Sequence, residues 1–584
     1  MPDTNAPRAV RDVADAYVFS LAELNPLIAT RLGLRRDEDR LPDLSPAGQQ
    51  AKDELARFTL ERLGSAERAA RSGSVAGSGP GAGPGSGPAA GTAAGDERRC
   101  ARLLRERLAS ALSLSEQGEH LRALSNIFGP VQQVRGVFMM MPTATEDDWA
   151  VVARRMARVA QALDGYRASL AEGARRGLLA APRQVRTVVG QLEEWLATAD
   201  GRGWFADFAA GARVPPALRA RLDEAAVAAT ASIADLRHWL ATEYLHCAQG
   251  VPDGVGAERY RLCARRWTGA DVDPRDAYAW GWSEYRSLRE EMQSEARRVL
   301  PGASTLGAMR HLDEDSEAVD GVEEIRLRLQ QMMDDAIAGL DGSHFDLADR
   351  LKIVEARIAP PGSAAAPYYT PPSQDFSRPG QTWLPTLGRT RFPLWRLVST
   401  WYHEGVPGHH LQLGQWMHLS ERLSMYQTSV GGVSACTEGW ALYAERLMDE
   451  LGYLSGPGAR LGYLDAQIIR AIRVVIDIGM HLELRVPGDS PLGAGETWTA
   501  DLARAFFAAH SGREAAFVDS EIVRYLGAPG QAISYKLGER AWLAGRTAAR
   551  AARGDSFDLK PWHMAALSLG SLGLDDLTEE LASL

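Results

Sequence analysis

His403-Glu404, then Gly405-Val406-Pro407-Gly408, then His409-His410 is the stretch whose residue types point most directly to chemistry. A His-Glu pair followed by a second His is how zinc hydrolases set two imidazoles and a general base about one metal. The standard H-E-x-x-H form is absent, because position 407 is Pro. On an unbroken helix, residues six or seven apart are separated by roughly 9–10 Å of rise. Two rings that far apart cannot both reach an ion at about 2 Å. The helix must therefore loop out between them. Gly405, Pro407 and Gly408 permit this, since Gly tolerates unusual dihedrals and Pro gives up a helical hydrogen bond. A two-residue insertion returns His409 to the second ligand position, and a three-residue insertion returns His410. His409 is preferred, with His410 in reserve.

A hydrolytic zinc needs a third protein ligand and an open position for water. The segment from Thr437 to Leu447 reads as a helix with an apolar face of Trp440, Ala441, Ala444 and Leu447. Glu438 opens it, 29 residues after His409 (438 − 409), a spacing that suits a second helix aiming its first-turn carboxylate at the metal. Glu445 returns to the same face, as a partner for a ligand or as a competing ligand. In a further segment, Gln467 to His481, Arg473, Asp477 and His481 recur every four residues in an apolar background, with Arg470 one turn earlier. Buried ions need partners, so Asp477 is expected to bridge Arg473 and His481. That stripe serves either as a packed polar network or as support for the ligands and an anchor for a substrate carboxylate. Near the C-terminus, Pro529-Gly530 signals a turn, and a helix then carries Gln531 and Tyr535 four residues apart. The Tyr535 hydroxyl could donate to the oxyanion of a tetrahedral intermediate, with Tyr525, Arg473 or Arg524 as further donors or carboxylate anchors.

In this order, H-E-G-V-P-G-H-H-L-Q, T-E-G-W-A-L-Y-A-E, R-V-V-I-D-I-G-M-H and R-Y-L-G-A-P-G-Q-A-I-S-Y-K-L-G together resemble the bacterial domain-of-unknown-function 885 family. The resemblance begins at Asn25-Pro26-Leu27-Ile28-Ala29-Thr30-Arg31-Leu32-Gly33 and ends at Phe557-Asp558-Leu559-Lys560 with Trp562-His563. Members of that family look like helical zinc peptidases of the neurolysin and thimet oligopeptidase kind. The resemblance implies a mainly α, two-lobed architecture around a deep channel. In the neurolysin-type motif H-E-F-G-H a Gly precedes the second ligand, which matches Gly408-His409 here; the inserted residues are the departure. The resemblance further implies one zinc ion at His403, His409 and Glu438, with Glu404 as base and Tyr535 near the oxyanion. It does not identify a substrate.

The elements that must position these groups are helical by pattern. Ala, Leu, Arg and Glu are abundant, and apolar residues recur at three- and four-residue spacing, for example over 150–175 and 215–245. Asp273-Pro274 reads as a helix start. The expected exception is a small edge β element at Pro367-Tyr368-Tyr369-Thr370-Pro371-Pro372-Ser373, which proline confines to an edge and which could pair with substrate backbone. At 584 residues and 45% hydrophobic content the chain can bury a large core. Residues 72–96, nearly all Gly, Ser, Ala and Pro, read as a flexible linker between an N-terminal helical segment, 1–71, and a catalytic domain, 97–584.

A net charge of −10 with no basic stripe argues against nucleic-acid binding. No apolar run reaches the roughly 18 residues of a membrane span. Met1-Pro2-Asp3-Thr4-Asn5 lacks signal-peptide order, and Cys100, Cys247, Cys263 and Cys436 are too scattered for a disulfide framework. Together these suit a cytoplasmic enzyme. The expected activity is zinc-dependent hydrolysis of an amide, a peptide bond first. The alternatives are an amidohydrolase acting on a modified amino acid or secondary metabolite, and a catalytically silent binding protein of the same fold.

Overall fold

Helices carry most of the chain, and their ends follow capping chemistry. Pro130, Pro182 and Pro216 each open a helix, where a missing N–H leaves no gap in the hydrogen-bond ladder. Thr145 and Asp148 form a reciprocal capping box at the start of Glu146–Met156. The Asp273 side chain accepts from the backbone N–H of Arg275 and Asp276 at the head of Pro274–Val299, as its sequence predicts. This computed structural model describes residues 10–35, 37–76, 88–198, 201–360, 366–456 and 458–584, without the side chains of 70–76 and 88–93.

The chain divides into two compact units. The first comprises Met1–Gly79, Leu108–Val255 and Asp519–Pro529. Its helices Pro130–Phe138, Glu146–Met156, Val159–Arg175, Pro182–Leu196 and Pro216–Trp239 enclose a core that includes Val134, Phe138, Val152, Tyr166, Val188 and Leu222. The second comprises Pro80–Arg107, Gly256–Val518 and Gly530–Leu584. This division departs from the expected single domain over 97–584, because packing rather than chain continuity decides which segments share a core. The expected linker over 72–96 is also shorter at both edges. Helix Pro46–Ala76 runs into it from one side and helix Pro88–Glu116 from the other, and residues 77–87 lie outside the described residues. Asp96 is buried and ion-paired with Arg99 and Arg422, which ties that edge to the second unit.

In the second unit, glycines let helices approach backbone to backbone. A Cβ at Gly538 would lie 2.0 Å from the Ala435 carbonyl oxygen, so Ser534–Arg553 crosses Ser434–Glu450 in close contact. The long helix Ala459–His481 is buried almost throughout and packs on Pro274–Val299, where a Cβ at Gly281 would lie 2.8 Å from Val474. A three-stranded sheet has Gly380–Leu384 at its centre, parallel to Val354–Ile358 and antiparallel to Tyr368–Thr370. Tyr368–Thr370 is therefore an edge strand, ended by Pro371-Pro372, which lack the N–H a ladder needs. Among the described residues no helix is long and apolar enough to cross a membrane.

Candidate metal centre

Helix Leu397–Glu404 carries His403 and Glu404 on its last turn and stops at Gly405; helix His409–His418 begins directly after Gly408. The interruption has a definite length. Gly408 N–H donates to Tyr402 O at 3.0 Å, reaching back six residues instead of four, and His410 N–H donates to Gly405 O at 3.1 Å. Two extra residues have entered the ladder, so His409 takes the place that an i+4 residue would hold on a continuous helix. Trp440 Nε1–H fastens the insertion by donating to the carbonyls of Pro407 at 2.9 Å and Gly408 at 3.1 Å.

The two imidazoles meet with ring centroids 4.7 Å apart. Glu438, one turn into Ser434–Glu450, places Oε2 3.4 Å from His403 Nε2 and 3.7 Å from His409 Nε2. Ligands about 2.0–2.1 Å from a tetrahedral metal stand roughly 3.3–3.4 Å from one another. The donor set fits such an ion. Ligand atoms of His403, Glu404 and His409 also lie within 4.8 Å of one another, so Glu404 is a second carboxylate beside the same point. Either carboxylate could complete the donor set, and one Glu438 oxygen approaches both Nε2 atoms.

The far side of His403 is held as firmly. Its Nδ1 lies 2.8 Å from Glu445 Oε1, and the completely buried Glu445 accepts from Ser399 Oγ and lies 3.8 Å from Arg470 Nη2. Glu445 thus fixes the ring so that Nε2 faces Glu438. Glu445→Ala should weaken zinc affinity by roughly 10–100-fold, read by competition with a chromophoric chelator. An unchanged affinity would show that the ring orients itself without Glu445.

Electrostatics in the metal-free centre follow from crowding. Burial opposes charge on His403, yet its bonds to Glu438 and Glu445 and the field of Glu404 raise its pKa to about 9. Burial and the charge of His403 lower His409 to about 4. Burial raises Glu404 to about 8, aided by Glu438 and Glu445 and opposed by His403 and Arg470. At pH 7 His403 therefore holds a proton that a metal must displace. Zinc binding should release at least one proton below about pH 9, and affinity should rise with pH up to that point. Calorimetry at pH 7 in two buffers of different ionisation enthalpy measures this; zero release would mean that no protonated His403 gives way to the ion.

The remaining expected site residues fall into other roles. His410 points away from the centre: Tyr369 Oη lies 2.9 Å from its Nδ1 and Leu351 O lies 2.8 Å from its Nε2. These bonds join helix His409–His418 to the edge strand and to the turn Asp349–Lys352, and burial lowers the ring's pKa to about 4. The buried Asp477 accepts from Tyr260 Oη at 2.6 Å and from Gly530 N–H at 3.0 Å, with His481 Nε2 at 3.8 Å. It pins the Pro529-Gly530 turn ahead of Ser534–Arg553. Arg473 stacks its guanidinium over the Tyr535 ring at 4.9 Å. Tyr535 sits beside Ser534, whose hydroxyl lies 3.1 Å from that of Ser434, one turn before Glu438. Gln531 is buried on the preceding turn, its carbonyl accepting from Ser534 Oγ. Arg524 and Tyr525 belong to the first unit, where both donate to Glu521. The i,i+3 and i,i+4 spacing of Glu521 to these two was readable in advance, whereas the anchoring by Tyr369 and Trp440 carried no local signal.

Two solved structures share the fold over nearly their whole length. One is described as a candidate lipoprotein from Colwellia psychrerythraea, with TM-score 0.78, 21% identity, and 99% of this chain and 99% of that chain covered. The other is described as a candidate lipoprotein of unknown function from Shewanella oneidensis, with TM-score 0.70, 18% identity, and coverage of 98% and 99%. No curated protein matches the chain. The family described as "Bacterial protein of unknown function (DUF885)" matches residues 26–581, and the chain belongs to that family.

Proposed function

We propose that the protein hydrolyses amide bonds, peptide bonds first among them, using one zinc ion held by His403, His409 and Glu438. What carries this reading is the convergence of two imidazole Nε2 atoms on a single Glu438 oxygen at 3.4 and 3.7 Å, with the Glu404 carboxyl alongside. Two imidazoles and a carboxylate suit zinc among the first-row metals. When bound, the ion would polarise a carbonyl and lower the pKa of a water towards about 7. Glu404 would serve as general base, accepting a proton from the attacking water and passing it to the leaving amine. Glu445, braced by Ser399 and Arg470, keeps the His403 ring oriented throughout. Tyr535, with Arg473 stacked on its ring, donates to the developing oxyanion. The likeness to neurolysin-type peptidases, with two lobes about a channel, belongs to the same reading. We place the reaction in the cytoplasm because none of the four cysteines is in a disulfide.

The test begins with elemental analysis of protein purified without chelator, which should find about one zinc per chain. A mixed peptide pool should be cleaved, the cleavage lost on chelation and restored by added zinc. Less than about a tenth of an equivalent of metal, with no response to zinc, leaves a binding protein instead. Cleavage of N-acyl amino acids without peptides moves the substrate class to small modified amides.

A further inference from the structure

Helix Ala459–His481 is buried at every residue from Leu461 to His481 except Arg470 and Arg473. The two stand three residues apart on one face, so this stretch meets solvent along a single charged strip. The strip borders the proposed metal centre. Arg473 stacks over the Tyr535 ring at 4.9 Å, and Arg470 Nη2 lies 3.8 Å from Oε1 of Glu445, the partner of His403. Arg470 is thus two side chains from the ion's place, by way of Glu445 and His403. Burial disfavours charge on Glu404 and Glu438, and the field of Arg470 acts the other way on both.

The Arg470 guanidinium has donors to spare. Nη1 donates to Ala466 O at 2.9 Å, on its own helix, while the buried Nε has no acceptor. Glu445 is near but already engaged: Oε1 faces His403 Nδ1 at 2.8 Å, and Oε2 accepts from Ser399 Oγ. At 3.8 Å its approach to Arg470 is an ion pair too long for a hydrogen bond. Asp465, a third acidic side chain in the field of Arg470, is closed by Arg513 at 2.6 Å. Of the five N–H groups of Arg470, one therefore has an acceptor among the described residues.

Arg446 and Arg513, in the same unit, each reach a carboxylate within hydrogen-bond distance, at 2.7 and 2.6 Å. Arg470 does not, yet 14% of its side chain is open to solvent, so a ligand can reach it. A planar fork with unused donors is shaped for a carboxylate, which it takes through two parallel bonds. Two side chains from the ion, Arg470 can only take a carboxylate close to the scissile amide. The α-carboxylate of the leaving residue is the nearest one that a peptide carries.

We propose that Arg470 holds the free α-carboxylate of the substrate's leaving residue, so that the protein removes C-terminal residues from peptides or N-acyl amino acids and leaves internal peptide bonds uncut. This rests on the zinc-hydrolase reading above and names its substrate class. Water adds across the amide: the carbonyl carbon gains the hydroxyl, the C–N bond breaks, and the nitrogen takes up the proton. The product leaves as a free amino acid whose carboxylate Arg470 held throughout.

A mixed pool of acetylated tripeptides, offered to the zinc-loaded full chain with free or amidated C-termini, tests this. The free acids should be cleaved at least about 10²-fold faster, as expected for losing a charge-assisted pair. Arg470→Gln should abolish that preference, chiefly through the KM of the best acid, with amide turnover within about threefold and zinc content unchanged. Arg470→Lys should restore part of it. Equal turnover of acids and amides by the wild type overturns the proposal. So does an equal loss on both pools in Arg470→Gln, which would reduce Arg470 to a brace for Glu445. The wild-type comparison decides the matter if the variants do not fold. If neither pool is cleaved, the hydrolase reading fails by itself and calorimetry on zinc-free protein tests the anchor. Hippurate should then bind at least about tenfold more tightly than hippuramide, and equal binding overturns the anchor.

Discussion

Glu404→Gln should keep about one zinc per chain and lose turnover by roughly 10²–10⁴-fold, the range that a positioned general base contributes. The two parts of that expectation have separate origins. Metal retention follows because Glu438, not Glu404, presents an oxygen to both Nε2 atoms. Loss of rate follows because glutamine matches the size of the carboxyl but cannot accept the water's proton. The fold should tolerate the change well. Burial raises the Glu404 pKa to about 8, so in the metal-free protein the side chain is already neutral at pH 7. Zinc content by elemental analysis and turnover on the best peptide should be measured on the same preparation. Full activity with zinc bound would remove Glu404 from the mechanism, whereas loss of zinc would make it a ligand and reopen the role of Glu438.

Gly408→Ala should be strongly destabilising. A Cβ there would lie 1.9 Å from His403 O and 2.4 Å from Tyr402 O, both backbone atoms that no rotamer change can clear. The same Gly408 N–H makes the stretched bond that closes the insertion. We expect a stability loss of about 3 kcal/mol or more, near the upper end for overpacking, together with loss of tight zinc binding. Gly405→Ala serves as the comparison. Its Cβ would meet Trp401 O at 2.8 Å and the flexible Met333 side chain at 3.0 Å, so the damage should be smaller. Urea unfolding midpoints give the first quantity and chelator competition the second. If Gly408→Ala unfolds at the wild-type midpoint and binds zinc normally, the insertion is not the rigid element described above.

Some of this centre was legible locally. Pro407 between two glycines rules out a continuous helix, and the six-residue step from His403 to His409 leaves two in excess over a normal ladder step. The structure contains that two-residue excess as the Gly408-to-Tyr402 hydrogen bond. Glu445, seven residues after Glu438 on a helix, was bound to return to the same face; only the structure shows that it meets the outer nitrogen of His403. His410 was ambiguous by spacing alone. Its partners Leu351 and Tyr369 lie 59 and 41 residues away in the chain. Asp477 was expected to pair along its own helix, and His481 does stand beside it; a hydroxyl 217 residues distant at Tyr260 reaches it as well. The helices expected from Ala, Leu, Arg and Glu periodicity formed, and those same helix formers carried two of them into the edges of the Gly- and Ser-rich stretch.

From its residue order alone this chain determined where helices start and stop and that the helix after Glu404 must break, leaving His409 and His410 as the two candidates to meet His403. Those outcomes depend on dihedral preference and hydrogen-bond spacing, which act over a few residues. Tertiary structure alone decided that 519–529 joins the first unit while the residues on either side join the second, that Trp440 clamps the insertion, and that Arg155 lies buried with its guanidinium donating to Thr30 and to the Pro26 and Arg40 carbonyls. Each of these depends on which distant surfaces exclude water together, and burial brings into contact groups whose separation along the chain has no bearing on their chemistry.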